Sequence, residues 1–157
     1  MSDSPCHELP EFSSRHRFSA WPNAYLPAVA AGVYVVWEGA TLIYGGMSGR
    51  EFEKAVASQK RRFGLVTRLA SHATGRLSGD QFCVDVANRL VIPSLDPQVL
   101  SRFASGELSL DALTRAYIHE RLEYQFAIVA SSAQAYALER ECRKGSRFGM
   151  KPLLNPL

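Results

Sequence analysis

Arg68 and His72 lie four residues apart, on a stripe that also carries Leu65 and Leu69 at helical spacing. A guanidinium and an imidazole on an otherwise apolar helix edge cost desolvation unless each meets a partner or a ligand. The guanidinium presents a planar donor fork suited to a phosphate or a carboxylate. Far along the chain, Glu139 stands beside the Ala135, Leu138, Cys142 stripe of another helical segment. A lone carboxylate there either pairs with an arginine or holds a metal ion. Two phenols, Tyr34 and Tyr44, occupy neighbouring strand-like segments, where cross-strand packing is the ordinary reason for such a pair. Gly45-Gly46 follow and let the backbone approach something closely, or turn the chain. Other chemistry has little to stand on. No GxxxxGK[ST] phosphate loop and no G-x-S-x-G nucleophile elbow occurs. Cys6, His7 and His16 lack metal-ligand spacing, and His119 reads as a surface helix residue.

Charge narrows the partner. The formal net charge is only +3, but seven bases and two acids fall between residues 50 and 76, and five bases and one acid between 140 and 157. An acidic stretch separates them. Two basic blocks of this kind suit a phosphate-backbone partner, although solvated helix faces produce the same pattern. Lys60, Arg61, Arg62, Arg76, Arg143, Lys144 and Arg147 are the candidate nucleic-acid contacts.

The elements that must position these residues follow from periodicity. The chain has 157 residues, 46% hydrophobic and 21% charged, enough for one globular domain. Residues 1–27, punctuated by Pro5, Pro10, Pro22 and Pro27, read as an irregular, loosely packed arm anchored by Phe18, Trp21 and Tyr25. A hairpin follows, 32–37 and 41–44, with Val33, Val35 and Trp37 on one face, Tyr34 and Val36 on the other, and Leu42 and Tyr44 sharing a face. Gly45 to Gly49 break the second strand. Helices are expected over 50–62 and 64–73, the latter stopped by Thr74-Gly75. Residues 81–87 alternate and read as a strand, and 98–104 as a helical turn. Ser109 caps a helix over 110–120, 122–130 is the clearest strand, and Ser131 or Ser132 caps a last helix over 132–144 that ends at Gly145. This order predicts an α/β (α+β) domain over 28–157 around a small, mainly antiparallel sheet of three strands or slightly more, flanked by helices. Three scattered cysteines and the lack of a basic, apolar leader point to free thiols in the cytoplasm, and no apolar run is long enough to span a membrane.

Taken together the motifs are more specific than singly. Gly32-Val33-Tyr34, then Tyr44-Gly45-Gly46, then Arg68-Leu69-Ala70-Ser71-His72, then Ala137-Leu138-Glu139, then Pro152-Leu153-Leu154-Asn155 stand in one order. That order resembles the signature of the GIY-YIG nuclease family, over residues 31 to 155. The second tripeptide has Gly45 where the family has an aliphatic residue, and 49–63 and 74–121 read as insertions. Without the first insertion Lys54 would stand where the arginine is expected. Arg68 is preferred because Leu69 and His72 accompany it. Glu139 is preferred over Glu141 for its context after Ala137-Leu138.

The resemblance implies a metal-dependent endonuclease hydrolysing phosphodiester bonds of DNA, with RNA open as a substrate. It implies one Mg²⁺ or Mn²⁺ ion per site held by Glu139, Arg68 on the scissile phosphate, Tyr34 or Tyr44 as the base, His72 as a proton relay or phosphate ligand, and Asn155 holding the tail against the site. A free phenol has a pKa of about 10, so a base working near pH 7 needs about 4 kcal/mol of help. The metal, Arg68 and the nearby basic residues are expected to supply it. A single site nicks one strand, so double-strand cutting implies a homodimer. The alternatives are a non-catalytic nucleic-acid-binding module on the same fold, and an unrelated domain in which Tyr34, Tyr44, Arg68 and Glu139 do not meet.

Overall fold

The computed structural model describes residues 9–155. Its elements run β1 (His16–Arg17), β2 (Val29–Glu38), β3 (Thr41–Ser48), α1 (Phe52–Ala57), β4 (Phe63–Gly64), α2 (Leu65–Thr74), α3 (Gln81–Val86), α4 (Leu100–Ala104), α5 (Leu110–Arg121), β5 (Glu123–Val129) and α6 (Ser132–Lys144). The fold is α+β. The sheet order is β1-β5-β2-β3, antiparallel throughout, and the two-residue β4 pairs in parallel with the start of β2. Among the described residues no helix is long and apolar enough to cross a membrane.

β2 is central, and its almost unbroken apolar sequence buries both faces. Val33, Val35 and Trp37 pack with Ala135, Leu138 and Cys142 of α6 on one side. Tyr34 and Val36 face the other side, with Leu65 and Leu69 of α2, Phe82 and Val86 of α3, and Ile118 of α5. The helices therefore sandwich the sheet, and Tyr34 points toward α2 while Glu139 rides on α6. α2 ends at Gly75, whose left-handed φ of 69° allows its N–H to reach the His72 carbonyl. Ser109 caps α5 and Ser131 caps α6, each accepting a backbone N–H three residues on.

Several sequence expectations are corrected. Residues 81–86 form a helix. Asp80 caps it by accepting the Cys83 N–H at 3.3 Å, and Phe82 and Val86 lie one helical turn apart on the buried side. A short apolar run fits either period, and here the cap decides. Gly45-Gly46 do not break β3, which continues to Ser48. Leu42 and Tyr44 lie on opposite faces, because the register shifts between Val36, paired with Tyr44, and Trp37, paired with Leu42. Ile43 is the extra residue of a bulge, and a bulge reverses side-chain parity. The described part of the N-terminal arm, from residue 9 on, is not loose. Ser13 hydrogen-bonds the Phe126 backbone through its N–H at 2.8 Å and its hydroxyl at 3.1 Å, β1 joins the sheet, and Phe18 is fully buried. Trp21 packs on the core, whereas Tyr25 is exposed, its ring 6.3 Å from that of His16. α1 is shorter than expected, and Lys60 to Arg62 form an exposed turn before β4.

Candidate active site

Tyr34, Tyr44, Arg68, His72 and Glu139 line one cleft of about 420 Å³, together with Met47, Arg50, Asp80, Phe82 and Arg143. Neighbouring strands present the two phenols. Their rings stack 6.2 Å apart at 26°. Gly46 lies opposite Tyr34 in the register, and a Cβ at Gly46 would collide with the Tyr34 hydroxyl and approach Tyr34 Cζ to 2.6 Å and Tyr44 Cε1 to 3.0 Å. The second glycine of the pair thus leaves room for a buried phenol. A Cβ at Gly45 would meet Cys142, Pro152 and Asn155 only at 3.7–3.8 Å, an ordinary contact. Gly46→Ala should accordingly lower the melting temperature by roughly 3–10 °C through displacement of Tyr34, whereas Gly45→Ala should leave it unchanged or slightly raised. Thermal unfolding of the two variants side by side checks the contrast, and equal losses would contradict it.

Beneath the phenols lies a hydrogen-bonded chain. His72 Nε2 is 2.7 Å from the Tyr34 hydroxyl, and His72 Nδ1 is 2.7 Å from Asp80 Oδ2. Ser71 donates to the same carboxylate oxygen at 2.6 Å. Tyr34, His72 and Asp80 are all buried. Burial holds the imidazole below its ordinary pKa despite the neighbouring carboxylate. Burial alone would raise Asp80, but the donors from His72, Ser71 and Cys83 outweigh it and keep the carboxyl low. A neutral imidazole thus sits against an ionised carboxylate. Both tyrosines are raised above the ordinary phenol value, Tyr34 by burial and then by Tyr44, Tyr44 by burial and then by Glu139. Arg68 opposes the rise without reversing it. Arg68 thus lowers both phenols as expected, but desolvation outweighs it and the net shift is upward.

Glu139 is half-buried, with its side chain 14% exposed, and burial raises its pKa against the opposing pull of Arg143 and Arg50. The Arg143 guanidinium is 3.9 Å from its Oε1, beyond hydrogen-bonding distance. A desolvated carboxylate facing an open cleft suits a hard cation that keeps most of its waters. Residues His72, Asp80 and Cys83 also bring three ligand-type atoms within 4.8 Å. They fit a metal poorly. The Asp80 and His72 atoms are bonded to each other, and the Cys83 thiol, strongly raised by burial, donates to the His72 carbonyl at 3.7 Å.

Asn155 lies outside the cleft lining. Its side-chain amide clasps Gly45 in both directions, accepting from the N–H at 2.7 Å and donating to the carbonyl at 2.8 Å, which fastens the C-terminal segment to β3. Lys54 pairs with Glu51 at 3.2 Å on exposed α1, away from the cleft. Glu141 lines a separate groove beside Ile128. Of the seven candidate nucleic-acid contacts only Arg143 lines the cleft. Lys60, Arg61, Arg62, Arg76 and Lys144 are exposed elsewhere, and Arg147 donates to the Pro10 carbonyl at 3.2 Å. A second cavity of about 570 Å³ adjoins the first and shares Met47, Arg50 and Arg68. His119, expected on the surface, is half-buried and reaches the Ala73 carbonyl at 2.7 Å. Cys83 and Cys142 are free and buried, and Cys6 and His7 lie outside the described residues.

Sequence reasoning missed Asp80 and Arg50. A helix reading of 81–86 would have exposed Asp80 as its cap, eight residues from His72. Compared with protein-family models, with curated proteins and with solved structures, the chain has no match, so the arrangement of the cleft itself carries the functional argument.

Proposed function

We propose that the protein is a metal-dependent endonuclease of the GIY-YIG type that hydrolyses phosphodiester bonds of DNA. One observation carries this reading: five side chains singled out from distant parts of the sequence, Tyr34, Tyr44, Arg68, His72 and Glu139, line a single cleft. The unrelated-domain alternative requires them to be dispersed. Arg68 is exposed and, among the described residues, has no hydrogen-bond or ion-pair partner, so its donor fork is available to a phosphate. Glu139 would hold one Mg²⁺ or Mn²⁺ ion, which when bound would draw charge from the phosphate and the leaving oxygen. A phenol of the stacked pair accepts the proton of the attacking water. Asn155 keeps the C-terminal segment against the strand that carries Tyr44. Arg50 and Arg143 flank the cleft, and phosphate contacts by these and by the exposed basic residues would make binding salt-dependent.

Incubation with supercoiled plasmid, branched DNA, single strands and RNA, each with Mg²⁺ or with EDTA, tests the reading. Metal-dependent nicking of at least one DNA substrate is expected, and EDTA should abolish it. Binding without cleavage under every divalent cation would replace the nuclease with a non-catalytic binding module. A single nick per event is expected of a monomer, and paired breaks of a homodimer.

A further inference from the structure

We propose that Asp80 is a positioning residue that makes Tyr34, and not Tyr44, the proton acceptor, by fixing His72 in the tautomer that takes the proton Tyr34 gives up. This rests on the nuclease reading above. Asp80 has three partners: the Ser71 hydroxyl and the His72 ring at Oδ2, and the Cys83 N–H at Oδ1. The Ser71 hydroxyl and the Cys83 N–H both donate to this carboxyl and keep it ionised, so it has no proton to give and His72 Nδ1, 2.7 Å away, carries the hydrogen. In a neutral ring Nε2 is then an acceptor, and the Tyr34 hydroxyl 2.7 Å away must donate to it. Tyr34 is thereby connected to a proton sink, while the Tyr44 hydroxyl has no hydrogen-bond partner among the described residues.

The step balances. A water proton moves to Tyr34 Oη as the Tyr34 proton moves to His72 Nε2. The water oxygen bonds to phosphorus, and the bond from phosphorus to the leaving oxygen breaks. The leaving oxygen takes a proton from solvent, and the imidazolium returns its own through Tyr34 to solvent. No phenolate need exist at rest, which reconciles the role with a phenol held above its ordinary pKa. Asp80 stabilises the transient imidazolium, as a buried carboxylate does for the histidine of a hydrolytic triad. The charged or titratable groups facing the relay of Tyr34, His72 and Asp80 are Tyr44, Arg68, Glu139 and Cys83.

Asp80→Asn tests the proposal because the amide cannot accept on both sides. Its NH₂ must oppose either the Cys83 N–H or the His72 ring. The expected results are a fall in kcat of about 10²- to 10⁴-fold, KM changed less than about threefold, and no further loss when the substitution is made in His72→Asn. Ring-nitrogen NMR of the resting wild-type protein should show the Nδ1–H tautomer at His72, a measurement that needs no activity and stands even if the variant fails to fold. An Nε2–H tautomer in the wild type, a wild-type rate in Asp80→Asn, or an undiminished extra loss in the His72→Asn background would overturn the proposal. Absence of cleavage by the wild-type protein would instead remove the nuclease reading, whatever the tautomer.

Discussion

Glu139→Gln is expected to abolish metal-dependent cleavage, by at least about 10³-fold in kcat, a loss of roughly 4 kcal/mol of transition-state stabilisation, and at the same time to make the fold more stable. Both effects have one cause. The Glu139 carboxyl is desolvated in the cleft, and Arg143 and Arg50 offset only part of the penalty. Its pKa in the fold therefore lies above that of the unfolded chain. The stability such a group contributes is present below the unfolded value and is lost as pH rises through the folded value. At neutral pH the ionised carboxylate works against folding, and a neutral amide of the same shape removes that opposition. A melting temperature raised by roughly 1–4 °C at pH 7 is expected, with the difference vanishing near pH 4. Added Mg²⁺ should raise the melting temperature of the wild type and leave the variant unmoved, since ligand binding to the folded state alone is stabilising. Calorimetric scans with and without Mg²⁺ decide. A variant that melts lower than the wild type at pH 7, or a wild type indifferent to the ion, moves the metal site away from Glu139.

The helix and strand registers that present Tyr34, His72 and Glu139 were legible because each lies on a segment with clear periodicity. β2 is apolar along nearly its whole length, α2 carries Leu65 and Leu69 one turn apart, and α6 places Ala135, Leu138 and Cys142 on one stripe with Ser131 before it and Gly145 after. Burial then orients the polar residues on the same elements. What periodicity does not carry is the count of residues across a strand pair. The bulge at Ile43 turned Tyr44 toward the Tyr34 side, and only the hairpin geometry reveals it. The reversal matters chemically, because without it the two phenols would face opposite layers.

Asp80 was hidden for a different reason. Phe82, Val84 and Val86 satisfy the two-residue period of a strand, while Phe82 and Val86 also satisfy one helical turn. The segment is too short for periodicity to choose. The choice falls to the Asp80 carboxylate, which satisfies the Cys83 N–H at the helix start and His72 from a separate helix with its other oxygen. One residue therefore decides the local structure and orients the ring beneath Tyr34. The sign of the tyrosine shift was also not legible, since desolvation appears only when the third dimension closes over Tyr34.

Arg68→Ala should lower kcat by about 10²- to 10³-fold with little change in substrate affinity or melting temperature. The guanidinium is exposed at the cleft, so its removal leaves no unpaired buried group behind. Its effect falls on the reacting phosphate and, secondarily, on the phenols, whose pKa values Arg68 holds down from where burial would place them. Arg68→Lys should recover only part of the loss, because a point charge does not reproduce a planar two-donor contact. Lys54→Ala is the control. Its ammonium is paired with Glu51 on an exposed helix that does not line the cleft, and the rate should stay within about twofold of wild type. Single-turnover cleavage of one defined DNA substrate by the three variants separates the two cations. Should Lys54→Ala lose the activity and Arg68→Ala keep it, the phosphate would sit over α1, and the stacked phenols would be too far from it to serve as the base.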